Sequence, residues 1–476
     1  MLIACVVAYL ALTIAIGLYA ARRVHGVRDF VVAGRSLPLG VNLATVFATW
    51  FGAETVLSVS ATFARDGLRG VPADPFGAAF GLVLVALLFA RAFYRMDLLT
   101  IGDFYRKRYG KLVEVLTSLA IGASYLGWTS AQLTALGLVL HVLTGGALSL
   151  NQSIVIGAAI VLAYTLAGGM WAIAWTDVFQ SVVIVVGLVF VAWLVGDLAG
   201  GPSRVITQAS ADGRLAFLPR GGLAEWLTFG AAFLTLALGS IPQQDVFQRV
   251  TSARDEKTAV RGSLLGGAAY FVIAFIPMFI AYAAIVIEPN YAELFASEDA
   301  REVQRILPDL ILMKTPVWAQ VLFFGALLSA VLSTASGALL APTALFTENV
   351  LRPFFPRLGD RRLLQLLRTV LVLFTCAALL FALNSRSTMY EMVQSAYKVT
   401  LVAALVPLAA GIYWKRATVQ GALLSIGAGL VVWLSCEANF SDATVPPQLA
   451  GLAAAVLGMV VGSCTPQLLR QPAGRA

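Results

Sequence analysis

The chain has 476 residues, 59% of them hydrophobic and only 12% charged, with mean hydropathy +0.85. A soluble domain carries about 25% charged residues, so this composition is that of a polytopic membrane protein. The net charge of +8 raises nucleic acid or anionic lipid as partners, but in a membrane protein basic residues first report orientation.

With roughly 20 apolar residues per crossing, thirteen spans are expected: 3–21, 38–63, 74–94, 112–143, 152–171, 177–199, 225–248, 262–287, 318–346, 366–384, 388–413, 419–436 and 447–463. The first follows no positive segment and is itself followed by Arg22 and Arg23, so it reads as a retained helix rather than a signal peptide. Cys5, Cys376, Cys436 and Cys464 lie far apart in or beside apolar segments and read as packing residues. His25 and His141 leave little room for a multi-histidine metal centre.

Placing the N-terminus outside puts 23 Lys and Arg on the inner side, including Arg249, Arg470 and Arg475. Nine fall on the outer side, including Arg386, and Lys398 lies within a span. This asymmetry predicts an N-out, C-in topology in a cell membrane and explains the net charge without nucleic acid. The longest outer segment, 288–317, contains ASEDAREVQRILPDLILM, an amphipathic pattern that reads as a surface helix capping that face; a lid over a solute pathway is the alternative.

Two spans carry unusual interiors. The second contains Trp50-Phe51-Gly52 and then Glu54, and the seventh contains Gly239-Ser240-Ile241-Pro242. Proline removes a backbone donor and clashes with the preceding turn. Bare carbonyls at membrane depth are tolerated only where protein, water or an ion satisfies them. Discontinuous spans in corresponding positions of two halves point to a transporter site, and spans two and seven enter from opposite sides, as an inverted five-plus-five repeat requires. In the ninth span Ser329, Ser333 and Ser336 stand at i, i+4 and i+7, beside a row of Ala330, Thr334 and Gly337. Such a stripe serves close helix packing, or supplies neutral oxygens to a hard cation such as sodium.

Six stretches in order, FVVAGRSL (30–37), FATWFGAET (47–55), LLTIGDFYRKRYG (98–110), GGMWAIAWTDVFQ (168–180), IPQQDVFQR (241–249) and LLSAVLSTASG (327–337), resemble the sodium:solute symporter family over nearly the whole chain. The resemblance implies an all-α, leucine-transporter-like fold. Residues 38–199 (spans two to six) and 225–413 (spans seven to eleven) would form the inverted repeats. An extra helix and basic loop (1–37) would precede them, and two helices with a short tail (414–476) would follow. It also implies a sodium site from the carbonyls of Ala48, Phe51 and Ala330 and the hydroxyls of Ser333 and Thr334. Asp177 would sit at the inner mouth of the sixth span, on the route of sodium to the cytoplasm, or be a plain end charge paired with an arginine.

The expected activity is sodium-coupled symport of a small organic solute. A proton-coupled carrier and a membrane sensor are the alternatives, and no nucleophile–base pair, phosphate loop or metal cluster suggests an enzyme. Local matches are strongest to the choline-carrier branch. Solute candidates are Trp50, Glu54, Thr55, Tyr125, Trp128, Gln132, Gln243 and Lys398. Aromatic faces attract a quaternary ammonium. Two features oppose that choice: Gln243 stands where the choline branch has a further tryptophan, and Lys398, midway through the eleventh span, suits a carboxylate solute unless Glu54 or Glu391 neutralises it.

Overall fold

The computed structural model describes all residues except 298, 356, 386, 441–443 and 470–476, so Arg386, Arg470 and Arg475 lie outside the described residues. Among the described residues there is no β-strand, only an isolated bridge between Leu37 and Ala253. Among the described residues nine helices are long and apolar enough to cross a membrane, and counting three bent pairs as single spans raises the number to twelve. The helix Leu150–Leu198 covers both the fifth and sixth expected spans in 49 residues. At 1.5 Å per residue it measures about 74 Å, room for two crossings of a ~30 Å hydrocarbon core. The expected interruption at 172–176 is absent, and the break falls instead at Gly169, with φ 50° and ψ −138°. No Cβ fits there, because it would stand 2.4 Å from the Phe30 carbonyl oxygen.

The bent pairs matter most. Helix α1 (Leu39–Trp50) meets α2 (Glu54–Asp66) at 55°. Helix α3 (Lys111–Leu143) follows as a single rod. Helix α4 (Leu223–Gly239) meets α5 (Gln244–Ser252) at 46°. The expected breaks in the second and seventh spans are therefore present. A third, between Met389–Ala403 and Leu405–Tyr413 at 44°, was not expected, although Pro407, whose ring crowds the Ala403 carbonyl and which has no N–H to bond it, marks it in the sequence. The ninth expected span is α6 (Val317–Phe346).

Burial follows the apolar pattern. The central windows of Lys111–Leu143 and of the helix beginning at Val317 are each 83% buried, against 17% for Leu2–Ala21, so the first two form the middle of the bundle and the last lies at its rim. Tyr9 ties the rim helix inward through a 2.6 Å hydrogen bond with Ser329.

The loops sort to two ends. At one end Arg28 and Arg35 both pair with Asp97, Arg95 pairs with Glu256, and the Leu37 amide donates to the Ser252 carbonyl while the Leu37 carbonyl accepts from the Arg254 amide. Burial there raises the Asp97 carboxyl, but the two guanidiniums outweigh it and hold it below the usual carboxylate range. At the other end the amphipathic segment forms Ala300–Lys314, and Gln304 donates to the Ser58 hydroxyl at 3.0 Å, so this segment caps the far half of the second span.

Gly169→Ala is expected to lower the melting temperature of the detergent-purified protein by several degrees, since a non-glycine residue in such backbone costs on the order of 2 kcal/mol even before the Phe30 clash. An unchanged melting curve would mean that the kink relaxes without cost.

Candidate functional site: two broken helices held by one face of a third

At the first break Phe51 leaves helical geometry (φ −85°, ψ 78°) and the Gly52 amide bonds to the Trp50 carbonyl at 3.1 Å. The Ala48 carbonyl, four residues before Gly52, thereby loses its intrahelical partner. It accepts instead from the Thr334 hydroxyl on α6 at 3.2 Å. Next to it the Ser333 hydroxyl donates to Asp177 at 2.6 Å, and Ser336 donates to the Ser333 carbonyl at 2.9 Å. Phe51 and Ala330 are wholly buried on the same two elements. The Ala48 carbonyl and the Thr334 hydroxyl thus meet where α1 ends against the hydroxyl stripe of α6.

Asp177 is fully buried in Leu150–Leu198, where Ser333 donates to it. The residues just before it, 172–176, are continuous helix rather than the expected interruption.

Helix α3 closes both breaks with residues of one stripe. The Gln132 carbonyl oxygen accepts from the free Ala53 amide at 3.2 Å, and its NH2 donates to Glu54 at 2.5 Å. Two turns earlier the Tyr125 hydroxyl accepts from the Asp245 amide at the start of α5, at 2.9 Å, and donates to the Asp245 carboxylate. The i, i+7 spacing of Tyr125 and Gln132 puts them on one side of the rod. Trp128 lies between them, 2% exposed. At the second break Gln243 donates to Ser124 at 3.1 Å, and Thr400 donates to the Gly239 carbonyl at 2.6 Å.

Aromatic rings fill the space between the breaks. Trp50 stacks on Tyr397 at 6.2 Å and also meets Tyr270 at 6.2 Å. Trp128 meets Tyr397 at 6.0 Å and Tyr125 at 5.7 Å. Acidic groups border the rings: Tyr270 donates to Asp74, which also accepts from Thr55 at 3.1 Å, and Glu54 lies near enough to feel the Asp74 charge.

Lys398 does not enter this space, contrary to one expectation. Its ammonium pairs with Glu437 at 3.0 Å, rather than with Glu54 or Glu391. Successive helical residues point about 100° apart. Tyr397 and Thr400 take the inward face, so Lys398 turns toward the helix Val419–Asn439.

Sequence reasoning missed Asp74, Asp245, Arg249, Tyr270 and Tyr397. Arg249 had been assigned to a loop with the basic end, yet it is 2% exposed on α5, and its Nε donates to the Thr49 hydroxyl at 2.9 Å. Its neighbour Gln248 is also buried, so the QR pair of the motif was the available signal. Among the described residues no group of three or more His, Cys, Asp or Glu is arranged to hold a metal ion.

The model of the sodium:solute symporter family matches residues 30–429. The chain belongs to that family. Its relatives include the high-affinity choline transporter 1 of Caenorhabditis elegans, 27% identical over 91% of this chain and 77% of that protein. The human high affinity choline transporter 1 is 27% identical over 90% and 75%. The human sodium/iodide cotransporter is 28% identical over 86% of this chain and 65% of its own length. Among solved structures, a Na+-coupled sialic acid symporter in a substrate-bound outward-open state superposes with a TM-score of 0.83 at 18% identity, covering 97% of both chains. A nucleobase-cation-symport-1 family transporter in a closed conformation, with bromovinylhydantoin bound, superposes at 0.61 with 18% identity, covering 90% of this chain and 93% of that one. The symporter is thus a multi-pass membrane transporter of the leucine-transporter-like fold, not an enzyme.

Lys398→Gln is expected to leave solute affinity at the wild-type value while lowering the melting temperature slightly, as for a partly exposed ion pair. A marked change in solute affinity would return Lys398 to the site.

Proposed function

We propose that this family member couples inward sodium flow to uptake of a small organic cation of the choline type. The observation that carries the solute class is the buried ring set of Trp50, Trp128, Tyr125, Tyr270 and Tyr397, bordered by Glu54, Asp74 and Asp245, with Lys398 turned away to Glu437. Each aromatic face contributes about 0.5–2 kcal/mol toward a desolvated ammonium. Carboxylates supply the opposite charge and repel a carboxylate solute, and these three outnumber Arg249, the positive group beside Trp50 and Asp245. Glu54, Thr55 and Gln132 act in this reading mainly by holding the break and its acidic border. Gln243 does the same at the second break.

For sodium the support is the oxygen set. The carbonyl of Ala48, freed by the break, accepts from the hydroxyl of Thr334, and in this reading Ser333 and the carbonyls of Phe51 and Ala330 complete the ligand set. Asp177 adds negative charge behind Ser333. Residues 38–199 and 225–413 act as the two repeats, flanked by 1–37 and 414–476, with the N-terminus outside and the basic loops in the cytoplasm. Alternating access then opens the shared site first to one side and then to the other. Proton coupling is the second reading. It is favoured by the buried Glu54 and Asp74, to neither of which a Lys or Arg is hydrogen-bonded or ion-paired among the described residues.

The first experiment is a thermal-shift screen in sodium and in potassium against choline, betaine, proline and small organic acids, because a ligand that binds the folded state stabilises it by mass action. Choline is expected to shift the melting temperature only in sodium. A shift with carboxylates alone would overturn the solute class, and shifts indifferent to sodium but dependent on pH would favour protons. Ser333→Ala with Thr334→Ala is expected to raise the sodium concentration for half-maximal uptake about tenfold, or ~1.4 kcal/mol, with membrane insertion intact. Trp128→Ala is expected to weaken solute affinity by ~1 kcal/mol while leaving sodium affinity in place; equal loss of both would mark Trp128 as packing only.

A further inference from the structure

Arg249 is among the largest fully buried side chains, at 2% exposure. Its Nε is bonded to Thr49, but Nη1 and Nη2 have no hydrogen-bond partner. Two carboxylates stand near it: Asp245, one turn earlier on α5 and lining the same pocket, and Asp177, bonded to Ser333 one turn before the Gly337 that Nη2 faces. Each is half-satisfied in the same way. Asp177 Oδ1 accepts from Ser333 and its Oδ2 is unbonded; Asp245 Oδ1 accepts from Tyr125 and its Oδ2 is unbonded. Two free donors therefore lie within the field of two acidic groups, each with a free acceptor, in a region closed to solvent. A buried guanidinium left without partners is costly, so movement toward either carboxylate would relieve it.

The two carboxylates belong to different sites. Asp177 is bonded to Ser333, a candidate sodium ligand, and Asp245 is bonded to Tyr125, which packs on Trp128 in the ring set. Gly337, one turn after Ser333 on α6, is what admits the guanidinium: a Cβ there would stand 2.5 Å from Nη2. Arg249 itself rides on α5, on the far side of the 46° bend from α4.

We propose that Arg249 is a positioning residue that couples the ion site to the solute site by dividing its charge between Asp177 and Asp245. The proposal rests on the sodium-symport reading and adds the physical link within it. When the guanidinium moves toward Asp177 it cancels the negative charge behind Ser333 and opposes sodium. When it moves toward Asp245 that charge is released and sodium binds. Sodium in turn favours the Asp245-paired position, which sets the charge and the Tyr125 bond at the edge of the ring set. Arginine suits this role because its planar fork presents donors in several directions, whereas a lysine ammonium is a compact point charge.

The test needs sodium alone, with no solute. Sodium affinity is read from the sodium-dependent melting temperature, with potassium as control. Asp245→Asn keeps the side-chain shape and removes the competing charge, so Arg249 falls to Asp177 and the sodium concentration at half-saturation is expected to rise at least about fivefold, the low end of coupling between linked sites. Tyr125→Phe removes the hydroxyl that shares Asp245, strengthens its hold on Arg249, and is expected to move half-saturation the other way, to lower sodium. A purely structural role would lower the melting temperature of both variants without moving the sodium midpoint in opposite directions. Wild-type midpoints in both, or a rise in both, would overturn the coupling while leaving sodium symport standing. An Asp245→Asn protein that fails to fold leaves Tyr125→Phe to decide alone, by the sign of its shift. A wild-type protein indifferent to sodium would remove both proposals together.

Discussion

The constraint on which the rest depends is that backbone freed inside a membrane protein must be paired by something other than water. Two helices break here, and both breaks are closed from the same stripe of Lys111–Leu143. Gln132 takes the Ala53 amide, and Tyr125 takes the Asp245 amide. Because those two residues are two turns apart on one rod, the separation of the breaks is set by helix geometry and not by loops. What remains between them is the Trp128 ring, flanked by Trp50, Tyr397 and Tyr270.

The other half of the site follows from that closure. Once Gly52 bonds to Trp50, the Ala48 carbonyl is released toward α6, where small residues allow close approach. Hydroxyls at 333 and 334 meet it there, and Asp177 sits behind them. The bundle thus places neutral oxygens at one side of the first break and aromatic rings at the other, and a single buried arginine stands close to acids from both. The periphery serves as support. Leu2–Ala21 packs at the rim, and the loops of the basic end are stitched by ion pairs that solvent reaches easily and that are worth little individually.

Much of this was legible in the residues. The apolar runs, the Trp50-Phe51-Gly52 and Gly239–Pro242 interruptions, the hydroxyl stripe and the Tyr125/Trp128/Gln132 face all follow from periodicities of 3.6 and from residues that break helices. The break at Ala404 was passed over although Pro407 signals it, because it lies near the end of its apolar run, where a proline reads as a helix end. The run through 172–176 was not legible: Trp175, Thr176 and Asp177 look like a loop but are carried as helix while Gly169 takes the bend. Arg249 was misplaced for a related reason: a charge near the end of an apolar run looks like a loop anchor, and only the packing of α5 into the bundle makes it interior.

By itself, then, the sequence determined the class of molecule, the order of its apolar segments, two of its breaks and which residue types stand at each, because these depend on local composition and helical period. Tertiary structure decided which charges meet. It turned Lys398 toward Glu437, brought Asp74 to Thr55 and Tyr270, and set Arg249 near both Asp177 and Asp245. These partners are separated by tens to hundreds of positions, and one residue of helical rotation changes a side chain's direction by about 100°. Local pattern cannot fix that angle, whereas the mutual packing of helices does.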